Sequence, residues 1–153
     1  MRLREKNVFL TEADSSAGRA IFRRLAAEGA SFILNSASDG AAIREELDRI
    51  RATGCKVMLV NIDLCSRDDL DRTLEAASRE IGEVDILVHN NDLTEPGTIE
   101  HGSEDWFRRL IHYNAKSAFI CTQAVGGRMA GRRRGKIVFV SSIHAEKPTG
   151  SSF

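Results

Sequence analysis

Net charge is the first thing missing: 22 basic and 22 acidic side chains leave the 153-residue chain formally neutral. With no global field of either sign, neither nucleic acid nor an anionic membrane surface is a favoured partner, and partners must be argued from local sites. The basic run Arg132, Arg133 and Arg134 has no interleaved aromatics and reads as a solvated turn. Long apolar runs are missing as well. None approaches the roughly 20 residues needed to span a bilayer. Residues 2–6 carry mixed charge and the apolar run from Val8 is short, which does not read as a secretory leader. The expectation is a soluble cytoplasmic protein with no membrane contact. Cysteine is sparse: Cys55, Cys65 and Cys121 are odd in number and form no C-x-x-C pair, which excludes a disulfide framework and a zinc ribbon. His89, His101 and His112 show no metal-ligand spacing, so no metal site is expected.

What the chain does have is a clear unit from Asn7 to Glu28. Val8, Phe9 and Leu10 form an apolar run suited to a buried parallel strand, and Thr11 to Ser16 supply turn and cap chemistry. From Ala17 the period becomes helical, with Ala17, Ala20, Ile21 and Leu25 on one face and Arg19, Arg23, Arg24 and Glu28 on the other. A strand feeding a helix N-terminus aims backbone N–H groups and a positive dipole end at the turn, an arrangement suited to phosphate.

The alternation continues. SFILN (Ser31–Asn35), KVMLVN (Lys56–Asn61), DILV (Asp85–Val88) and KIVFV (Lys136–Val140) read as strands. Helices are expected over 41–53, after an N-cap at Ser66, and from about Trp106 to Ala130 behind Ser103, whose acidic neighbours suit a first turn. Five strands alternating with four helices in one domain over residues 1–153 imply a doubly wound parallel sheet, Rossmann-like, with order 3-2-1-4-5. Ligands in such sheets sit at the carboxyl ends of the strands beside the reversal of order, here Thr11–Gly18, His89–Leu93 and Ser141–Ala145.

Taken in order, these residues resemble the short-chain dehydrogenase/reductase family of the classical type. The family's first turn, T-G-x-x-x-G-x-G, is matched by Thr11, Ala13 and Gly18, while Glu12 and Ser16 replace glycines. Asp63-Leu64 stands where the family contacts adenine, Asn90 matches within its N-N-A-G stretch, and Asn114 and Ser142 align with its catalytic asparagine and serine. The resemblance implies an NAD(P)-dependent oxidoreductase moving hydride to or from a small-molecule carbonyl or secondary alcohol. It implies that Ser142 donates to the substrate oxygen and that Asn114 supports a proton relay through its helix carbonyl. It assigns cofactor contacts to Thr11, Ser15, Ser16, Ala17, Gly18, Asn35, Ser36, Asp63, Leu64 and Asn90. Relatives commonly pair through the long helix, so a homo-oligomer is expected, with the Phe119 side as its surface.

Three departures qualify the resemblance. The family's Y-x-x-x-K would begin beyond Phe153, and the sole tyrosine, Tyr113, adjoins Asn114 and is expected to pack near the cofactor rather than serve as the base. The end of the chain would leave KIVFV as a bare apolar edge, so the sequence reads as part of a longer polypeptide whose fold is completed downstream. Glu12 and Ser16 are expected to strain the turn and weaken nucleotide binding, with Glu12 and Asp14 adding charge near the phosphates. Asn35-Ser36-Ala37 carries no carboxylate at the end of the second strand, which favours NADP over NAD. His144 is a candidate for the substrate pocket. The runner-up reading is a non-catalytic or truncated Rossmann domain that binds a nucleotide or a protein partner.

Overall fold

The computed structural model describes residues 1–143 and Glu146. The other residues beyond Ile143, His144 among them, lie outside the described residues. Five parallel strands, β1 (Asn7–Leu10), β2 (Ser31–Asn35), β3 (Val57–Val60), β4 (Ile86–His89) and β5 (Lys136–Phe139), pair in the order β3-β2-β1-β4-β5. The helices are α1 (Ser16–Ala27), α2 (Arg44–Arg51), α3 (Arg67–Glu80), α4 (Glu104–Leu110) and α5 (Ser117–Gly131). This is the expected doubly wound sheet. The chain leaves β1 toward β2 and β3, then returns to place β4 on the other side of β1, which opens a crevice at their carboxyl ends.

Strand periodicity divides the apolar runs between two cores. Val8 and Leu10 of β1, Phe32 and Leu34 of β2 and Val88 of β4 face Phe22 and Ala26 of α1 and Leu47 and Ile50 of α2. Their neighbours Phe9, Ile33 and Leu87 point to the opposite face, against Leu70, Leu74 and Ala77 of α3 and Cys121, Ala124 and Val125 of α5. Because both faces are covered, the central strands read as continuous apolar runs instead of alternating ones. Phe22 and Phe32 meet edge to face at 4.8 Å, which pins α1 on the sheet. Ser15, Ser66 and Ser103 cap α1, α3 and α4, their hydroxyls accepting from the N–H of Gly18, Asp69 and Trp106.

Two stretches differ from the periodicity. The segment expected as one helix from Trp106 to Ala130 is broken by a π-helical turn over Ile111–Lys116, in which the Ser117 N–H reaches back to the His112 carbonyl. Side chains on that turn bond to distant loops and strands, and those bonds hold the wider winding. The second helix begins with a 3-10 turn, Ala41–Ile43, because the Ser36 and Ser38 hydroxyls take the N–H groups of Gly40 and Ala42. β3 and β5 are the edges of the sheet, and on β5 Val138 and Phe139 are exposed. Among the described residues no helix is long and apolar enough to cross a membrane.

Candidate functional site

The crevice is built on the turn from β1 to α1. Gly18 presses against that turn so closely that a Cβ there would lie 2.3 Å from the Glu12 carbonyl oxygen and 3.0 Å from Ala13. Only glycine fits, and the close approach puts the first turn of α1 at the carboxyl end of β1. Ser16 and Ala17 stand exposed there, and their N–H groups belong to the helix end that lacks intrahelical acceptors. Ser15 is fully committed: its hydroxyl donates to the Glu12 carbonyl at 3.1 Å and accepts from the Gly18 N–H at 2.9 Å and from the Asn90 amide at 3.0 Å. Asn90 is buried, and its N–H donates to the buried Thr11 hydroxyl at 2.8 Å, which locks β4 to β1 at the crevice floor.

Glu12 departs from glycine in side chain but not in backbone. Its φ of +48° is the left-handed conformation that glycine takes without cost, and a side chain there stores about 1 kcal/mol. Ser16, the other replacement, sits in the regular first turn of α1 and carries no such strain, contrary to expectation. The Glu12 carboxylate lies across the crevice. It accepts the Asp92 N–H at 3.0 Å and faces Tyr113. Burial, with Asp92 and Asp14 nearby, raises its pKa against the pull of those hydrogen bonds. Tyr113 is pushed up to about 12 by burial and by the Glu12 charge.

At the end of β2, Asn35 closes a reciprocal amide pair with Ile62, at 3.3 Å to its carbonyl and 3.0 Å from its N–H. The Ser36 hydroxyl is buried and donates to Asp14 Oδ1 at 2.6 Å, while Asp14 Oδ2 accepts the Ser38 N–H at 2.9 Å. A carboxylate therefore does stand at the end of β2, delivered by the neighbouring turn. Asp63 is exposed at the end of β3, whereas Leu64 is buried in the α3–α5 core.

On the far wall, the Asn114 amide pairs with both backbone groups of Leu93, accepting its N–H at 2.7 Å and donating to its carbonyl at 2.9 Å. Its side chain is thus structural, and any part in a proton relay falls to the main chain of the π-helical turn. His89 is buried at the end of β4, with Nε2 2.9 Å from the Ser117 hydroxyl. That hydroxyl donates to the Tyr113 carbonyl, so it is placed to accept the His89 Nε2–H. Burial lowers the His89 pKa. Ser142 follows β5 and is half-buried.

Together these elements enclose a cleft of 510 Å³ whose lining includes Glu12, Asp14, Ser15, Asn35, Asp63, Leu64, Asn91, Tyr113 and Ser117. Asn91 Oδ1 is buried on its wall and has no hydrogen-bond partner among the described residues. The fold also gathers three residues that linear spacing does not suggest: donor atoms of Asp63, Cys65 and His112 lie within 4.8 Å of one another. Sequence reasoning weighed histidine against histidine. The contact instead joins the end of β3 to the π-helical turn, and no local signal announces it.

The family model for short chain dehydrogenase matches residues 6–152. The chain belongs to this family. Among relatives of this short-chain dehydrogenase, the 3-oxoacyl-[acyl-carrier-protein] reductase of Escherichia coli is 32% identical over 143 residues, covering 94% of this chain and 57% of the reductase. An uncharacterized oxidoreductase of Methylorubrum extorquens is 30% identical, covering 93% of this chain and 56% of that protein. The crystal structure of a putative short-chain dehydrogenase/reductase from Burkholderia xenovorans superposes with a TM-score of 0.86 at 29% identity, covering 95% of this chain and 57% of the other. An NAD+-bound xylitol dehydrogenase shares the fold, with a TM-score of 0.88 at 24% identity over 98% of this chain and 58% of its own. The chain thus spans a little over half the length of the proteins it matches.

Proposed function

We propose that this chain forms the nicotinamide-nucleotide-binding part of an oxidoreductase that interconverts a small carbonyl compound and a secondary alcohol. The observation that carries the reading is the approach at Gly18, which sets the first turn of α1 directly after Ser15, a residue lining a cleft sized for a ligand. A pyrophosphate suits that helix end, and no basic side chain is required to hold it. Asn91 supports the same reading. A buried, unpaired acceptor costs about 1–3 kcal/mol, and a hydroxyl or amide donor on the ligand would offset that cost. Glu12 and Asp14 set the limits of the fit. The first brings charge and bulk to the middle of the cleft, so binding is weak beside relatives with glycine at this position.

The second acts at the ribose. Absence of a carboxylate within Asn35-Ser36-Ala37 favours NADP, whereas Asp14, bonded to Ser36 and Ser38 at the end of β2, brings a carboxylate that would repel a 2′-phosphate. The cofactor we propose is NAD, bound weakly. When bound, it supplies the hydride. Ser142 would hold the substrate oxygen, while the Asn114 clamp on Leu93 keeps the opposite wall in place. Tyr113, raised to about 12 by burial and by the Glu12 charge, is not the acid/base group. We place this activity in the cytoplasm, with association through the exposed Phe119 side of α5.

Titration of the 153-residue chain with NADH, followed by nucleotide fluorescence, tests the reading. Saturable binding that is abolished in Gly18→Val supports it. A wild-type chain that takes up no NADH, or a Gly18→Val chain that binds equally well, overturns it.

A further inference from the structure

We propose that Asp63, Cys65 and His112 form a Zn²⁺ site on the β3 side of the cleft, with the remaining coordination position open to solvent. The carboxylate, thiol and imidazole come from two elements that the chain separates widely and the fold brings together. Their donor atoms all lie within 4.8 Å of one another, and His112 Nε2 stands 3.9 Å from Asp63 Oδ1. Tetrahedral zinc with bonds of about 2.0–2.3 Å sets its ligands roughly 3.4 Å apart, so rotamer changes that close separations of up to 4.8 Å by about 1.4 Å complete the set.

The backbone around the three side chains is already braced. The Cys65 N–H donates to Asp63 Oδ1 at 2.8 Å, and the Cys65 thiol donates to the His112 carbonyl at 3.2 Å, which ties the end of β3 to the π-helical turn. On ligation the thiol gives up its proton to solvent and the sulfur joins the metal as thiolate. The mixture of sulfur, nitrogen and oxygen donors selects zinc over magnesium or calcium, which take oxygen alone. Charge assists: Glu12, Asp14 and Asp63 line the same cleft, opposed by Lys116 beside the thiol. Asp63 and His112 are exposed and Cys65 is half-buried, so a metal reaches the site without unfolding.

The proposal stands apart from the nucleotide reading, because zinc uptake is measured with no nucleotide present. Calorimetric titration of the full chain with zinc chloride is expected to give one site per chain. Cys65→Ser and His112→Ala each weaken it on the order of tenfold or more, while Cys55→Ser, near the opposite end of the sheet, leaves it unchanged. Cobalt(II) in place of zinc is expected to show a thiolate charge-transfer band that Cys65→Ser abolishes. Circular dichroism matching the wild type shows that the variants keep the fold. No saturable uptake below about 1 mM overturns the proposal, as does uptake indifferent to Cys65 and His112.

Discussion

The Glu12 carboxylate and the Tyr113 hydroxyl face each other across the cleft, where the strained turn after β1 meets the π-helical turn between α4 and α5. In short-chain dehydrogenases a tyrosine serves as acid or base because a nearby cation lowers its pKa. Here the sole tyrosine meets an anion in a half-buried setting, and its pKa moves the other way.

That tyrosine is directly measurable. Because the chain has one tyrosine, its phenolate absorbance against pH reports this group alone, and the midpoint is expected near 12. Glu12→Gln removes the charge and is expected to bring the midpoint down toward the ordinary value of about 10. A wild-type midpoint already near the ordinary value would contradict the contact.

His89 makes stability depend on pH. Burial lowers its folded-state pKa below the unfolded value of 6.5, so the unfolded chain binds the extra proton more readily. The stability this neutral imidazole contributes is present above pH 6.5 and is lost as pH falls through the folded-state pKa, by at most about 1.4 kcal/mol per pH unit. Glu28 and Glu46 have lowered pKa values, so their contributions are lost only further into acid. Urea midpoints are therefore expected to fall more steeply between pH 6.5 and pH 5 in the wild type than in His89→Asn. Equal slopes in both proteins would remove His89 from the account.

Asp14 is expected to set the choice of nucleotide. With its carboxylate held by Ser36 and Ser38, the wild type is expected to discriminate against a 2′-phosphate, and Asp14→Ser to shift the NADH-to-NADPH affinity ratio toward NADPH by about tenfold, or 1.4 kcal/mol. The ratio is the useful readout, since general loosening of the turn would weaken both nucleotides alike. An unchanged ratio would mean that the ribose lies elsewhere.

Much of the fold was legible because its determinants are local. Val8–Leu10 and Phe32–Leu34 are short apolar runs that periodicity finds, Ser66 and Ser103 announce their helices, and handed crossovers leave few strand orders to consider. The π-helical turn was not legible. Asn114 and Ser117 are held there by Leu93 and His89, partners more than twenty residues away. The same holds for the site. Gly18 is recognisable in the motif, but nothing in the sequence joins Ser36, assigned there to the cofactor, to Asp14, and Ser16 looked strained until it fell within α1. Asp63, Cys65 and His112 share no register or motif, so only their positions in space join them.

The central claim is that a family cleft is retained and narrowed by one side chain. Calorimetric titration of NADH into the wild type and Glu12→Gly side by side tests it most directly. Glycine relieves the positive-φ strain, clears the cleft and removes a charge facing the phosphates, which together are expected to tighten binding by about 10- to 100-fold, or 1.4–2.8 kcal/mol. Low-micromolar binding by the wild type, unchanged in Glu12→Gly, would contradict the account.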